Sequence, residues 1–89
     1  MNKTMMDILA CPIDKNHPLE LYTVKEQNNI VLEGALFCSK CFRFYPIIEE
    51  IPIMLPDELR NKKVELDFLT SNKKNLPEKI ITKANPWHL

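Results

Sequence analysis

Two short segments with the spacing of metal ligands constrain this chain most. Residues 38–41 read Cys-Ser-Lys-Cys, a complete Cys-x-x-Cys pair, and residues 11–14 read Cys-Pro-Ile-Asp, which has the same spacing with an aspartate in the last position. Structural zinc sites take four tetrahedral ligands, commonly two from each of two such loops. The candidate metal ligands are therefore Cys11, Asp14, Cys38 and Cys41, and zinc is the expected metal.

Alternatives to a zinc site with an Asp14 ligand stay open from the sequence. His17 is a rival for the fourth position, since a carboxylate oxygen is a harder and weaker partner for zinc than a thiolate. Without a metal, Asp14 would cap a turn and the cysteines would pack as small apolar groups. A Cys38–Cys41 disulfide is a further alternative. A thioredoxin-type redox site is disfavoured, because Cys41 runs into a strand-like segment rather than a helix.

Composition excludes several classes of function. The 89 residues allow one domain with a modest core, for which a metal or a partner adds stability. The 12 basic and 12 acidic residues balance, whereas a nucleic-acid module needs a net positive face. The single glycine, Gly34, excludes a glycine-rich phosphate loop.

The sequence also predicts where the protein is found. We see no signal peptide and no apolar span long enough for a membrane helix. Three cysteines are an odd number, which does not suit a secreted disulfide framework. We therefore expect a cytoplasmic protein without membrane contact.

Periodicity and turn residues predict several short strands between helices at the two ends of the chain. Thr4 and Asp7 form a capping-box pattern for a short N-terminal helix that ends before Pro12. The further elements expected in chain order are strands over 19–25 and 30–32, a strand reaching 36–38, an alternating segment over 42–47, an apolar segment over 51–55, and C-terminal helices.

Two helices are predicted after Pro56. The first covers 57–70, with Leu59, Leu66 and Leu69 on one side, and the second starts at an Asn75 cap. The polar linker 71–75 divides the chain into a domain of residues 1–70 and a helical tail of residues 71–89. Trp87 in this tail is either a packing anchor or part of a partner surface.

The stretch Ile-Pro-Ile-Met-Leu-Pro at 51–56 is very apolar for an edge segment. Its large residues cannot all point into one small core, because alternate strand residues face opposite ways. A surplus apolar face on a small domain is usually a binding site, and an edge strand can extend a partner's sheet. The alternative is that the helix over 57–70 covers this face.

The order of these motifs is more specific than any one of them. A short helix running into "ILACP" is followed by a strand pair, "CSKC", "FYPI", "IPIMLP" and a charged helix. Over residues 4–60 this order resembles the small activator subunit of methyltransferases, the tRNA methyltransferase 112 subunit family, and its bacterial short relatives. The length is similar to that of members without the long central insertion, which indicates an archaeal-type short form.

The resemblance implies a zinc-ribbon-like domain of the α+β class, with a three- to four-stranded antiparallel sheet and without catalytic activity of its own. Such subunits form heterodimers with S-adenosylmethionine-dependent methyltransferases that act on tRNA, ribosomal RNA or a translation release factor, and keep them soluble and active. The cofactor would be bound only through the partner enzyme, and RNA or release factor would be contacted only indirectly. The family's zinc cysteines match Cys11, Cys38 and Cys41, and its fourth position matches Asp14. Glu50 stands where relatives often have glycine, which allows a turn of different shape.

The expected partner surface combines this resemblance with the surplus apolar segment. Its predicted residues are Ile51, Pro52, Ile53, Met54 and Leu55, with Phe42 and Phe44 beside them and Met5 and Leu9 at the rim. The alternative function is a free-standing zinc-ribbon module that contacts nucleic acid directly. The neutral, apolar composition favours the activator.

Overall fold

A four-stranded antiparallel meander organises the chain in the computed structural model, which describes all of residues 1–89. Its strands are β1 (Glu20–Gln27), β2 (Ile30–Phe37), β3 (Phe44–Ile48) and β4 (Ile51–Pro52), and each pairs with the next in the order β1-β2-β3-β4. Strand β2 joins the two short segments predicted at 30–32 and 36–38 into one. The sheet and the flanking helices confirm the predicted α+β class.

Both hairpin turns, at Asn28-Asn29 and at Glu49-Glu50, place two residues in the left-handed region of the backbone. The φ angles are 51° and 66° at Asn28 and Asn29, and 50° and 70° at Glu49 and Glu50. Two-residue turns with positive φ match the twist of antiparallel strands, and asparagine tolerates them well. Glu50 thus adopts a backbone conformation that glycine favours.

The N-terminal helix differs from the prediction in its start and its type. It is a short 3-10 helix, Lys3–Asp7, capped by Asn2, whose Oδ1 accepts from the Thr4 backbone N–H at 2.9 Å. The Thr4 hydroxyl also donates to the same oxygen, so it is not free to act as a cap. The predicted capping box of Thr4 and Asp7 is therefore wrong, because the asparagine two residues earlier takes that role.

The predicted helix over 57–70 is broken into two pieces. A 3-10 turn, Asp57–Leu59, precedes helix α1 (Lys62–Ser71), and Arg60 between them is extended. Asn61 caps α1 by accepting from the Val64 N–H at 3.0 Å. The break occurs because the Arg60 side chain turns into the core, as described below.

Helix α2 (Glu78–Lys83) begins later than predicted. Pro77 holds its N-cap position without a side-chain hydrogen bond, so the predicted Asn75 cap is wrong. Helix α1 has ten residues and α2 has six. No helix in the structure is long and apolar enough to cross a membrane.

The sheet has an apolar core on each face. On one face the C-terminal helices cover it, and this first core consists of Ala35, Phe37, Phe44, Phe68, Leu69, Leu76, Ile80, Ile81 and Ala84, with Trp87 packed against it. On the other face the N-terminal segment covers it, and this second core consists of Met1, Cys11, Leu19, Val31, Leu36, Cys38, Tyr45 and Ile47. Residues 68–84 therefore share a core with the sheet, and Cys11 and Cys38 are anchored in the opposite one.

Candidate metal centre and apolar groove

The loop that starts at Cys11 is closed by its own backbone. The Cys11 N–H donates to the Asn16 carbonyl at 3.0 Å, and the Cys11 carbonyl accepts from the Lys15 N–H at 2.8 Å. Lys15 has a φ of 64°, which reverses the chain. Cys11 itself is fully buried and anchors the loop in the second core.

The loop that starts at Cys38 repeats this pattern. The Cys38 N–H donates to the Arg43 carbonyl at 2.9 Å, and its carbonyl accepts from the Phe42 N–H at 2.8 Å. Phe42 has a φ of 63°, like its counterpart in the first loop. Asp14 in the first loop therefore occupies the position that Cys41 occupies in the second.

The two loops bring four donor atoms together at distances that suit a tetrahedral metal. The Sγ atoms of Cys11 and Cys41 are 3.7 Å apart, and Cys38 Sγ is 3.5 Å from Asp14 Oδ2. All four donors lie within 4.8 Å of one another, and none of the cysteines is in a disulfide. Thiolates about 2.3 Å from a tetrahedral zinc ion stand about 3.8 Å apart. The set could therefore hold a zinc ion without rearrangement of the loops.

The fourth position belongs to Asp14 in this geometry. The exposed His17 places its Nδ1 2.7 Å from the Leu9 carbonyl oxygen and takes no part in the donor cluster. The backbone N–H of Asn16 donates to Asp14 Oδ1 at 2.9 Å. This hydrogen bond, with smaller contributions from the three cysteine thiols, lowers the pKa of Asp14 to about 2. The carboxylate is therefore ionised and oriented before any metal binds.

Two polar groups that the sequence did not single out contact the thiols. The Tyr45 hydroxyl lies 3.1 Å from Cys11 Sγ, and the Asn16 side-chain amide donates to Cys38 Sγ at 3.6 Å. Burial raises the pKa of Tyr45, so its proton is retained and is available to a Cys11 thiolate. Burial also raises the pKa of the Cys41 thiol to about 11, so metal binding must displace protons and depends on pH.

A second feature is an apolar groove of about 220 Å³ between the β3–β4 hairpin and the start of α1. This groove is lined by Pro46, Ile48, Ile51, Ile53, Leu55, Leu59, Asn61, Val64 and Glu65. Three of its residues come from the surplus apolar segment, and they are the alternate positions 51, 53 and 55. Met54 instead packs against the second core.

The predicted partner residues of the surplus segment differ in exposure. Ile51 is 60% exposed and Leu55 is 37% exposed, while Pro52, Ile53 and Met54 are half-buried. Pro52 pairs with the backbone of β3 at the edge of the sheet. Ile51 and Leu55 are thus open to solvent at two places along the groove, and Ile53 lies between them in the chain.

The other predicted partner residues lie outside the groove. Phe42 is 40% exposed, with the edge of its ring against Phe37 at 5.3 Å between ring centroids. Met5 is 37% exposed, and Leu9 is half-buried against the second core. Phe44 is fully buried in the first core, so its assignment to a partner surface is wrong. Both faces of β3 are covered by a core, so residues 44–47 are all buried and Phe44 cannot face a partner.

Leu59 and Val64 line the groove and were not predicted to do so. They are 65% and 48% exposed, although Leu59 was expected on the same side of a helix over 57–70 as Leu66 and Leu69. The helix is interrupted at Arg60, so Leu59 no longer shares a face with Leu69. Helix α1 buries Phe68 and Leu69. The 3-10 turn and helix α1 therefore do not cover the apolar segment 51–55. They form a second apolar wall of the groove opposite it.

Comparison with known sequences finds one matching family model and a group of similar small proteins. The model of the Trm112p-like family matches residues 2–50. The UPF0434 protein of Methylobacillus flagellatus is 40% identical over 65 residues, which cover 73% of this chain and 93% of that protein. The UPF0434 protein of Coxiella burnetii is 38% identical over 60 residues, which cover 67% of this chain and 91% of that protein.

Comparison with solved structures finds the same fold. The Haloferax volcanii Trm112 methyltransferase activator, solved in complex with a candidate methyltransferase, superposes with a TM-score of 0.64 at 37% identity. The match covers all of that chain and 67% of this one. About a third of the present chain therefore has no counterpart there.

Proposed function

Since this chain belongs to the Trm112p-like family, we propose that it is a non-catalytic subunit that binds an S-adenosylmethionine-dependent methyltransferase and keeps it soluble and active. The observation that carries this proposal is the match to the Haloferax activator, which extends over the whole of that chain and was solved in complex with a candidate methyltransferase. An identity of 37% over a shared fold supports a shared mode of action.

We propose that the partner enzymes methylate tRNA, ribosomal RNA or a translation release factor in the cytoplasm, and that this chain contacts those substrates only indirectly. The 12 basic and 12 acidic residues leave no net positive charge to attract phosphates, which disfavours a direct nucleic-acid module. The sheet is wholly antiparallel, whereas nucleotide-like cofactors are commonly held at the carboxyl ends of parallel strands. S-adenosylmethionine would therefore be bound by the partner.

The centre of the proposed interface is the apolar groove, with Ile51, Ile53 and Leu55 as its contact residues on this side. Large exposed aliphatic side chains grouped in a groove are unusual on a small monomer and are typical of partner sites. Pro52 and Met54 hold this segment against the sheet and the second core. Phe42, Met5 and Leu9 are proposed contacts at the periphery.

A structural zinc ion is the second part of the proposal. Cys11, Asp14, Cys38 and Cys41 would bind it, and it would fasten the N-terminal loop to the loop between β2 and β3. Both loops attach to the second core. Met54, which belongs to the same segment as the groove residues, also packs against this core. The proposed role is stabilisation, since structural metal binding contributes directly to folding.

Co-expression with each S-adenosylmethionine-dependent methyltransferase of the source organism tests the function. We expect at least one enzyme to elute with this chain as a heterodimer in size-exclusion chromatography and to transfer methyl groups faster with it than alone. The isolated chain should bind no S-adenosylmethionine in calorimetry. Failure of every enzyme to pair, or binding of the cofactor by the pure chain, contradicts the proposal.

A further inference from the structure

The second metal loop, residues 38–43, has a backbone conformation that other groups must hold. Phe42 has a φ of 63°, in the left-handed region that bulky residues rarely adopt. Such a residue persists only where the surrounding contacts fix it, because the conformation costs free energy. The first metal loop, residues 11–16, reverses in a similar way at Lys15, with a φ of 64°. Each loop therefore needs groups that support its backbone.

The two loops receive this support from different parts of the chain. In the first metal loop it comes from within, because the Asn16 carbonyl accepts from the Cys11 N–H and the Asn16 side-chain amide donates to Cys38 Sγ. In the second metal loop it comes from Asn85, which is 44 positions beyond Cys41 in the sequence. A distant segment thus supports the loop that contributes two of the candidate ligands.

Three hydrogen bonds join Asn85 to the second metal loop and to the strand that follows it. The Asn85 backbone N–H donates to the Phe42 carbonyl at 2.7 Å, and its side-chain Nδ2 donates to the Cys41 carbonyl at 2.9 Å. The Asn85 carbonyl accepts from the Phe44 N–H at 3.2 Å, which makes a parallel bridge across Arg43. Asn85 thus binds the backbone of a candidate ligand and of the strained residue next to it.

The residues on either side of Asn85 attach it to the first core. Ala84 is fully buried there, and Trp87 packs against the same core. The Leu89 N–H donates back to the last turn of α2 at 2.8 Å. We call residues 84–89 the strap. The Asn85 side chain itself is exposed, so the strap holds the loop through a bond that water can replace.

We propose that the strap and the metal centre are coupled. Asn85 is a positioning residue that keeps the second metal loop in its ligating conformation, and metal binding in turn secures the strap. This inference rests on the zinc site of the proposed function. The family model, which matches residues 2–50, includes both metal loops but not Asn85. The coupling links a centre anchored in the second core to the C-terminal helices on the opposite face of the sheet.

Zinc affinity of Asn85→Leu tests one direction of this coupling. Leucine is similar in size and uncharged but cannot donate to the Cys41 carbonyl, so zinc should bind about fivefold more weakly, the effect of one exposed hydrogen bond. Asn75→Leu, the same change at an exposed position between α1 and α2, is the matched control and should bind zinc like the wild type. Competition with a chromophoric chelator measures the affinities. Equal affinity of Asn85→Leu and the wild type overturns the inference.

A control in the first core separates positioning from a general loss of stability. Leu69→Val should be less stable than the wild type in urea, because it removes a buried methylene group, but it leaves the strap and its hydrogen bonds in place. It should therefore keep the zinc affinity of the wild type. If Leu69→Val loses as much zinc affinity as Asn85→Leu, the effect is one of stability and the inference is wrong.

Hydrogen exchange tests the reverse direction. Coupling between two sites is reciprocal, so zinc should slow exchange of the Asn85 amide by at least about fivefold relative to the metal-free protein. The Val64 amide, which donates to Asn61 at the exposed start of α1, is the control whose exchange should not change. Equal exchange of the Asn85 amide in both forms overturns the inference. A chain that unfolds on chelation also contradicts it, because the metal would then hold the whole fold and not the strap.

These outcomes distinguish the inference from the function on which it rests. A protein that binds zinc but shows neither effect contradicts the coupling alone. A protein that binds no zinc contradicts both the coupling and the zinc site. Neither result bears on pairing with a methyltransferase, which co-expression tests separately.

Discussion

Arg60 and Glu65 form an ion pair inside the protein. The guanidinium lies 2.7 Å from Glu65 Oε1, and the two side chains are 0% and 3% exposed. The same guanidinium donates to the Phe44 carbonyl and stands 5.0 Å from the centroid of the Phe44 ring. Because Arg60 must turn inward to make these contacts, the chain is extended at this residue. The pair thereby sets the position of α1, one wall of the groove.

Replacement of one partner of this pair should cost more than replacement of both. Glu65→Ala leaves an uncompensated guanidinium in the core and should lower the free energy of unfolding by about 3 kcal/mol or more. The double variant Arg60→Met/Glu65→Leu should lose much less, because apolar residues of similar size remove the buried charges together. Urea unfolding of the three proteins measures this. A double variant as unstable as Glu65→Ala contradicts the coupling.

Gly34 is required by the approach of β1. A Cβ atom at this position would lie 2.5 Å from the Tyr22 carbonyl oxygen and 3.3 Å from Thr23 Cα. Both neighbours are backbone atoms and cannot move without displacing the strand. Gly34→Ala should therefore lower the free energy of unfolding by about 1–3 kcal/mol. Thr23→Ala, at an exposed position of the paired strand, is the control and should stay within about 0.5 kcal/mol of the wild type. A Gly34→Ala protein with the free energy of unfolding of the wild type would contradict this expectation, because β1 and β2 could then move apart without cost.

The sequence predicted those parts of the fold that depend on local pattern. The strands follow from alternation, and the paired loops of Cys11 and Cys38 follow from ligand spacing. The segment 51–55 was predicted to be divided between two faces, and the structure divides it between the groove and the second core.

The parts that were missed depend on contacts between distant residues. Pattern alone gave a continuous helix over 57–70, since nothing local indicates that Arg60 pairs inside the core. Because of this error, Leu59 was placed on the same helix face as Leu69, and the second wall of the groove was not predicted. Tyr45 was taken as part of an alternating strand, and its contact with Cys11 joins residues 34 positions apart.

The pair of Arg43 and Asp57 predicts how stability changes in acid. The Arg43 guanidinium donates two hydrogen bonds to the Asp57 carboxylate and lowers the pKa of that carboxyl group. A carboxyl pKa that is lower in the folded state stabilises the fold above its ordinary value of about 4, and this contribution is lost as the pH falls through the folded value.

Asp57→Asn removes this contribution. The variant should be less stable than the wild type at neutral pH, and the difference should disappear as the pH falls from about 5 to about 2. Urea unfolding over this pH range provides the comparison, with Asp67→Asn, an exposed residue without an ion pair, as control. A stability difference for Asp57→Asn that does not change with pH would exclude the ion pair as its cause.

The donor set predicts opposite effects of two substitutions on zinc affinity. Tyr45→Phe removes the hydroxyl that contacts Cys11 Sγ and should weaken zinc binding by about tenfold, as loss of such supporting groups generally does. Asp14→Cys replaces a carboxylate by a thiolate in the same loop position and should tighten it. Competition with a chromophoric chelator measures both affinities.

Elemental analysis of the wild-type protein provides the independent check of the metal centre. A zinc content below roughly a tenth of an equivalent, with a melting curve that chelation leaves unchanged, would exclude a structural metal. In that case the four residues would serve the fold through the loop hydrogen bonds alone.

The affinity of Ile53→Asp for the co-purified methyltransferase tests the central claim most directly. A carboxylate in a dry interface or a failure to dock should weaken binding by about 2 kcal/mol or more, which is about 30-fold. Ile51→Asp, at a 60% exposed site that tolerates a charge in the free protein, should weaken it similarly. Lys73→Asp, at an exposed position outside the groove, should bind like the wild type. Circular dichroism and urea unfolding establish that each variant is folded. Folded Ile53→Asp and Ile51→Asp proteins that keep wild-type affinity would contradict the account, because the groove would then not be the methyltransferase interface.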